Sequence, residues 1–165
     1  MEYNLPSEIV KEINFGEKAQ NKIVAGVEKL AKAVKSTLGA SGKCVIYEDA
    51  RGKPVITKDG VTVAESVVLY DPVENIGATL IKEAAKNTVT EAGDGTTTAT
   101  ILAEALLKHV YACKTEDTSI RNIKDGLNSG LQKINDYLKS ISVDVKGDML
   151  KDVSSISCNN DTILG

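Results

Sequence analysis

Four long stretches of this chain repeat apolar residues at steps of three and four, which commits it to packing amphipathic helices. In the first, over about 17–38, Ile23, Val24, Val27, Leu30, Ala31, Val34 and Leu38 share a face, and Gly39 stands where a left-handed helix-ending residue is wanted. The second covers about 72–91. Asp71 is a natural N-cap, Pro72 suits the first helical position, and Glu74 supplies the third-position carboxylate of a capping box. Its face is Val73, Ile76, Leu80, Ile81, Ala84 and Ala85. A third helix is predicted to start within 96–98 and run to about 111, burying Ile101, Leu102, Ala105 and Leu106. The fourth, about 119–141, carries Ile120, Ile123, Leu127, Leu131, Ile134, Leu138 and Ile141.

Between the first two helices the texture changes. Segments 44–47, 55–57 and 61–69 are rich in Val and Ile and bounded by Gly52, Pro54 and Gly60, which predicts short strands and a small β insertion over about 44–69. After Ile141 the chain turns polar and weakly periodic, as a connector or the first piece of another domain. The expected fold class is mainly α with a small β insertion, built as one domain or one domain and the start of another.

Composition removes several functions. Twenty basic against 23 acidic residues give a net charge of −3, the wrong sign for a duplex-binding surface. The chain has no Trp and one Phe, too few aromatics for a single-strand stacking platform, so no nucleic acid is expected as a partner. Cys44, Cys113 and Cys158 are odd in number and widely spaced, which argues against a disulfide framework or a zinc site and for a reducing cytoplasm. His109 lies within a helical pattern without an orienting partner and reads as a helix-surface or core-edge residue. The first residues are acidic and broken by Pro6, unlike a signal peptide, and no apolar run reaches the roughly 18 residues of a membrane span.

The chemistry concentrates in Gly93-Asp94-Gly95-Thr96-Thr97-Thr98-Ala99-Thr100. Two glycines let the backbone turn sharply and approach a ligand closely. Unpaired amides at the following helix start then favour an anion, and three threonines add hydroxyls around it. A carboxylate beside a phosphate repels it unless a cation lies between them, so Asp94 points to a hard ion such as magnesium. The same residues also suit an ordinary capped helix start, with Asp94 and Thr96 as the caps. Lys58-Asp59-Gly60 has a similar character: Lys58 can neutralise a phosphate and Asp59 orient a water or a metal, while a plain Asp-Gly turn between strands explains them equally. A Walker loop is absent, since Gly42-Lys43 is followed by Cys44, and no GxGxxG opens a helix after a strand.

Three strings, TLGASGKCVI, ITKDGVTVA and AGDGTTTATILAEAL, resemble the group I chaperonins, the GroEL-type chaperones of bacteria, organelles and phage, in order, spacing and flanking helices. The resemblance runs from about Ile13 to the last residue. It implies an ATP pocket lined by Thr37, Leu38, Gly39 and Ala40, with Lys58, Asp59 and Gly60 near the phosphates. Asp94 would hold magnesium, and Gly95, Thr96, Thr97 and Thr98 would grip phosphate oxygens. Potassium would lie close by, at main-chain oxygens near Thr37 and Lys58 and the hydroxyl of Thr97. Of these, Asp59 is the candidate catalytic residue, orienting water or metal.

The resemblance further implies that residues 1–140 are the N-terminal part of an equatorial ATPase domain and 141–165 the start of an intermediate hinge. The complete protein would form homo-oligomeric rings and enclose unfolded clients with a co-chaperonin, driven by ATP. Ala40 stands where the family usually has Pro, so that turn loses a fixed torsion. Family members are several times longer, with an apical domain, a second equatorial half and an acidic residue that helps activate the attacking water. The expectation for this chain alone is therefore weak hydrolysis, with uncovered apolar helix faces that make it sticky or oligomeric. The rival expectation is a truncated, non-enzymatic chaperonin-like interaction module.

Overall fold

The computed structural model describes residues 13–39, 41–113, 118–158 and 163. The chain divides into two compact units, Met1–Lys114 and Thr115–Gly165.

The first unit is built on α1 (Gly16–Lys35), which lies most extensively against α3 (Pro72–Ala92) and also meets α2 (Gly60–Ser66) and α4 (Thr96–Cys113). Its core is the α1 row Val27, Leu30, Ala31 and Val34, closed by Val63 and Ala64 of α2 and by Ala78, Ile81 and Ala85 of α3. The α1 face is thus the one its periodicity predicts, except at its end. The regular helix stops at Lys35, and the amides of Ser36, Thr37 and Leu38 bond to carbonyls three residues back. This tighter winding turns Leu38 out to solvent. Gly39 is left-handed as expected, at φ +74°, but lies beyond the helix cap rather than at it.

Asp71 and Pro72 start α3 as predicted, the Asp71 carboxylate accepting from the amides of Val73 and Glu74. Lys22 of α1 pairs with the same carboxylate at 2.6 Å, and its hydrogen bond, with those amides, holds the Asp71 carboxyl below its ordinary pKa. The predicted capping box is replaced: Glu74 reaches across to Lys29 of α1. The α3 face is also corrected. Ile76 and Leu80 are exposed, and the inward row is Val73, Gly77, Ala78, Ile81 and Ala85. The reason is how closely the two helices approach. A methyl group at Gly77 would collide with the Ile23 carbonyl, and one at Gly26 with the Glu74 carbonyl, so small residues rather than large apolar ones occupy the α1–α3 contact.

The β insertion is smaller than expected. It is one antiparallel hairpin, β1 (Val45–Glu48) with β2 (Pro54–Thr57), Val45 opposite Thr57 and Tyr47 opposite Val55. Asp49 closes its loop by accepting from the amides of Arg51 and Lys53. The predicted third strand, 61–69, is instead α2 followed by extended chain. Asp59 caps Val61 and Thr62, and Val63 and Ala64 then fall together on the core side. A cap and a buried pair outweigh the strand preference of a Val-rich segment. Lys82 of α3 donates to the carbonyls of Glu65 and Val67, satisfying the far end of α2.

The second unit contains α5 (Ile120–Ile141) and α6 (Met149–Ser157). Ser119 caps α5 through the Asn122 amide, 3.1 Å away. None of α5's residues is buried, so its apolar row is a face without cover among the described residues. The 142–165 tail, expected to be a connector or the first piece of another domain, contains α6, a helix the weak periodicity did not announce.

Candidate functional site

The last turn of α1, the start of α2 and the start of α4 meet in the first unit. The side chain of Val34, from the last turn of α1, lies against Gly60, the first residue of α2. Gly60 in turn faces the Thr97 hydroxyl at the start of α4, so closely that any side chain at 60 would collide with it. The glycine of Lys58-Asp59-Gly60 is therefore required by close approach, and the last turn of α1, the KDG turn and the GDGTTT string become neighbours in space.

The bend before α4 is a double left-handed turn, with Gly93 at φ +77° and Gly95 at φ +86°. Gly93 ends α3, its amide bonding to the Val89 carbonyl at 2.9 Å. Residues with side chains rarely adopt these angles, so both glycines are dictated by the backbone. The first i→i−4 bond of α4 runs from Ala99 to Gly95, 2.8 Å. The amides of Thr96, Thr97 and Thr98 precede it, and the residue before the helix is a glycine, with no side chain to cap them.

Helix starts in this chain are of two kinds: Phe15 before α1 and Asp148 before α6 give no side-chain cap, and three others do. Asp59, Asp71 and Ser119 each turn an oxygen onto the second or third amide of their helix. Asp94 instead accepts from its immediate neighbour, the Gly95 amide at 2.6 Å, while Gly93 and Asp94 both stay exposed. An ordinary capped start is thus not what forms here. The bend leaves the first amides of α4 without a side-chain cap beside an exposed carboxylate, a donor set that fits a phosphate with a bridging cation. Among the described residues no three His, Cys, Asp or Glu converge as a metal cage, so magnesium here would take its other ligands from phosphate and water.

The remaining predicted residues fall around this point with different degrees of engagement. Thr37 is half-buried, its hydroxyl donating to the Val34 carbonyl at 2.8 Å, while Leu38 and Gly39 are exposed. Ala40 lies outside the described residues. Lys58 is exposed. Asp59 has both oxygens engaged: one accepts from the Val61 amide at 3.2 Å, the other from the Thr62 amide at 3.0 Å and hydroxyl at 2.5 Å. Partial burial pushes this carboxyl up, but the hydrogen bonds from Thr62 and Val61 outweigh it and hold the pKa below its ordinary value. Thr96 is buried, Thr97 half-buried and Thr98 exposed.

The matching of a family model settles the lineage. The model described as the TCP-1/cpn60 chaperonin family matches residues 30–164, from the end of α1 through α6. The chain belongs to that family. The chaperonin's role is accordingly of the protein-folding type. Val34, Gly60 and Thr97, which meet at Gly60, all lie inside the matched segment.

The chaperonin also holds a group near this site that the apolar periodicity passed over. On α4 the buried residues are Thr96, Thr100 and Glu104, while the expected Leu102, Ala105 and Leu106 are exposed and Ile101 only half-buried. Glu104 is 4% exposed. It pairs with Lys35, the last residue of α1, and with Lys108 at 3.1 Å, and Lys108 bridges onward to Glu28 of α1 at 2.9 Å. Burial pushes the Glu104 carboxyl up, but the hydrogen bonds and charges of Lys35 and Lys108 outweigh it and keep the pKa below the ordinary value. The signal available in the sequence was the four-residue step Thr96, Thr100, Glu104, Lys108, a polar row competing with the apolar one for the inward side.

Proposed function

We propose that this chaperonin is of the group I, GroEL-type branch and that the segments around Gly60 form an ATP site of its equatorial domain. The observation that carries the reading is the bare start of α4, three uncapped amides behind two left-handed glycines, set against the KDG turn in a chain of chaperonin lineage. In this reading the amides and hydroxyls of Thr96, Thr97 and Thr98, with Gly95, grip phosphate oxygens. Asp94 holds magnesium, which supplies the charge neutralisation that phosphoryl transfer needs. Thr37, Leu38, Gly39 and Ala40 line the nucleoside side. Lys58 and Gly60 stand by the phosphates, Asp59 orients water or metal while capping α2, and a potassium ion sits near Thr37, Lys58 and Thr97. The wider expectations go with this reading: ATP-driven enclosure of unfolded clients in a homo-oligomeric ring with a co-chaperonin, in the cytoplasm. Among the described residues no helix is long and apolar enough to cross a membrane.

Equilibrium titration of the chain with a fluorescent ATP analogue, with and without magnesium, tests the site. Binding is expected with magnesium, and Asp94→Ala is expected to weaken it by at least about tenfold. No binding by the parent chain would overturn the ATP reading. It would favour a non-enzymatic interaction module, for which the exposed rows Leu102 and Leu106 on α4 and Leu127, Leu131 and Leu138 on α5 speak.

A further inference from the structure

Thr96, Thr100, Glu104 and Lys108 form a polar row along α4, and its first three members are turned inward beside Ala103 and Leu107, which pack on the core. Stability alone does not account for Glu104. Burying a carboxylate carries a heavy solvation cost, and an apolar side chain of similar size in a buried ion pair's place is often as stable or more so. What an ion pair adds is direction. Apolar faces are tolerant of a helix sliding or rotating by a fraction of a turn, whereas a charged pair is satisfied in one register.

Here the register reaches the candidate site from both sides. Lys35 is the final residue of α1, and the Ser36, Thr37 and Leu38 amides are wound directly onto its end by bonds to Ala33, Val34 and Lys35. Glu104 stands two turns from Thr96 on the same side of α4, and the Thr100 hydroxyl between them bonds to the Thr96 carbonyl at 2.9 Å. The Glu28–Lys108 pair ties the same two helices again, two turns further back along α1. Two ties on one helix pair oppose both sliding and rotation, the buried Glu104 pairs more strongly than the exposed Glu28–Lys108 pair.

We infer that Glu104 is a positioning residue whose pairs with Lys35 and Lys108 set the register of α1 on α4, and so fix the 37–39 turn relative to the bare amides of 96–98. The inference rests on the ATP reading for the ligand that feels this register, while the register itself is measurable without any ligand.

The test uses the 165-residue chain with Glu104→Met, which keeps the bulk and removes the charge, Glu104→Gln, which keeps the shape, and Lys35→Met. Hydrogen exchange over 36–39 reads the register, and titration with the fluorescent ATP analogue in magnesium reads the site. Glu104→Met is expected to stay folded, to exchange about tenfold faster over 36–39 and to bind the analogue about tenfold more weakly. Lys35→Met should match it, and the double variant Glu104→Met/Lys35→Met should be no worse than either alone. Glu104→Gln should shift both readouts the same way by less, and it decides the question if Glu104→Met fails to fold. Unchanged exchange over 36–39 in a folded Glu104 variant would overturn the inference, as would faster exchange with undiminished affinity. A parent chain that binds no analogue would bring down the ATP reading, and exchange over 36–39 would still decide the register.

Discussion

Helices α1 and α5 carry nearly the same message in sequence, a row of Ile, Leu and Val at steps of three and four, and meet opposite fates. In α1 the row Val27, Leu30, Ala31 and Val34 is sealed beneath α2 and α3; in α5 the row Ile120 to Ile141 buries nothing among the described residues. Both are helices of about twenty residues, and α5 has the better-defined start, capped by Ser119 where Phe15 gives α1 no side-chain cap. The difference teaches that periodicity specifies a face in want of cover and says nothing of what supplies it. In the first unit small residues at the α1–α3 contact and ion pairs around it supply the cover.

The comparison is open to attack by paired substitutions. Leu30→Ala, at a site with no exposure, is expected to cost about 3 kcal/mol in urea unfolding, from lost transfer energy plus the cavity left behind. Leu131→Ala, more than half exposed on α5, should cost within about 0.5 kcal/mol. Equal costs would mean that α5 is covered in solution. A smaller contrast comes from the glycines. Gly77→Ala should destabilise by about 2 kcal/mol, because the new methyl collides with backbone that must move, despite alanine's better helix propensity. Gly126→Ala, with open space around it, should stabilise α5 by about 0.5–1 kcal/mol, seen as raised helical ellipticity or slower exchange.

The smallest expected effect is on acid tolerance. Asp59, Asp71 and Glu104, all in the first unit, have their carboxyls held below their ordinary pKa values by the bonds they accept. A carboxyl whose folded pKa is lowered contributes stability above its unfolded pKa and loses it as pH falls through the folded value. The first unit should therefore keep its stability down to about pH 4 and lose it progressively below that. Glu104→Gln should flatten this acid limb, and an unaltered limb in that variant would show that Glu104 carries none of it.

Much of the local structure was legible because its causes are local. Asp71 and Pro72 start α3 where predicted, Ser119 starts α5, the glycine bend divides α3 from α4, and the hairpin occupies part of the segment read as β. The glycine bend and the threonine run were legible for the same reason, since left-handed glycines and repeated threonines mark themselves. The meeting at Gly60 was not: nothing in residues 34, 60 and 97 taken one at a time says that they touch. Segment 61–66 was misread because strand preference was weighed without the Asp59 cap beside it.

What the sequence determined by itself, then, was where helices start and stop and which backbone positions demand glycine, because hydrogen bonds within a few residues and the steric limits on φ and ψ decide those. The tertiary structure alone decided that α4 turns Thr96, Thr100 and Glu104 inward and leaves Leu102 and Leu106 outside. A helix has several faces that could be buried, and the choice depends on what the neighbours offer. Here α1 offered Lys35 to a carboxylate that also had Lys108 within reach, and α2 offered, at Gly60, room for the hydroxyl of Thr97.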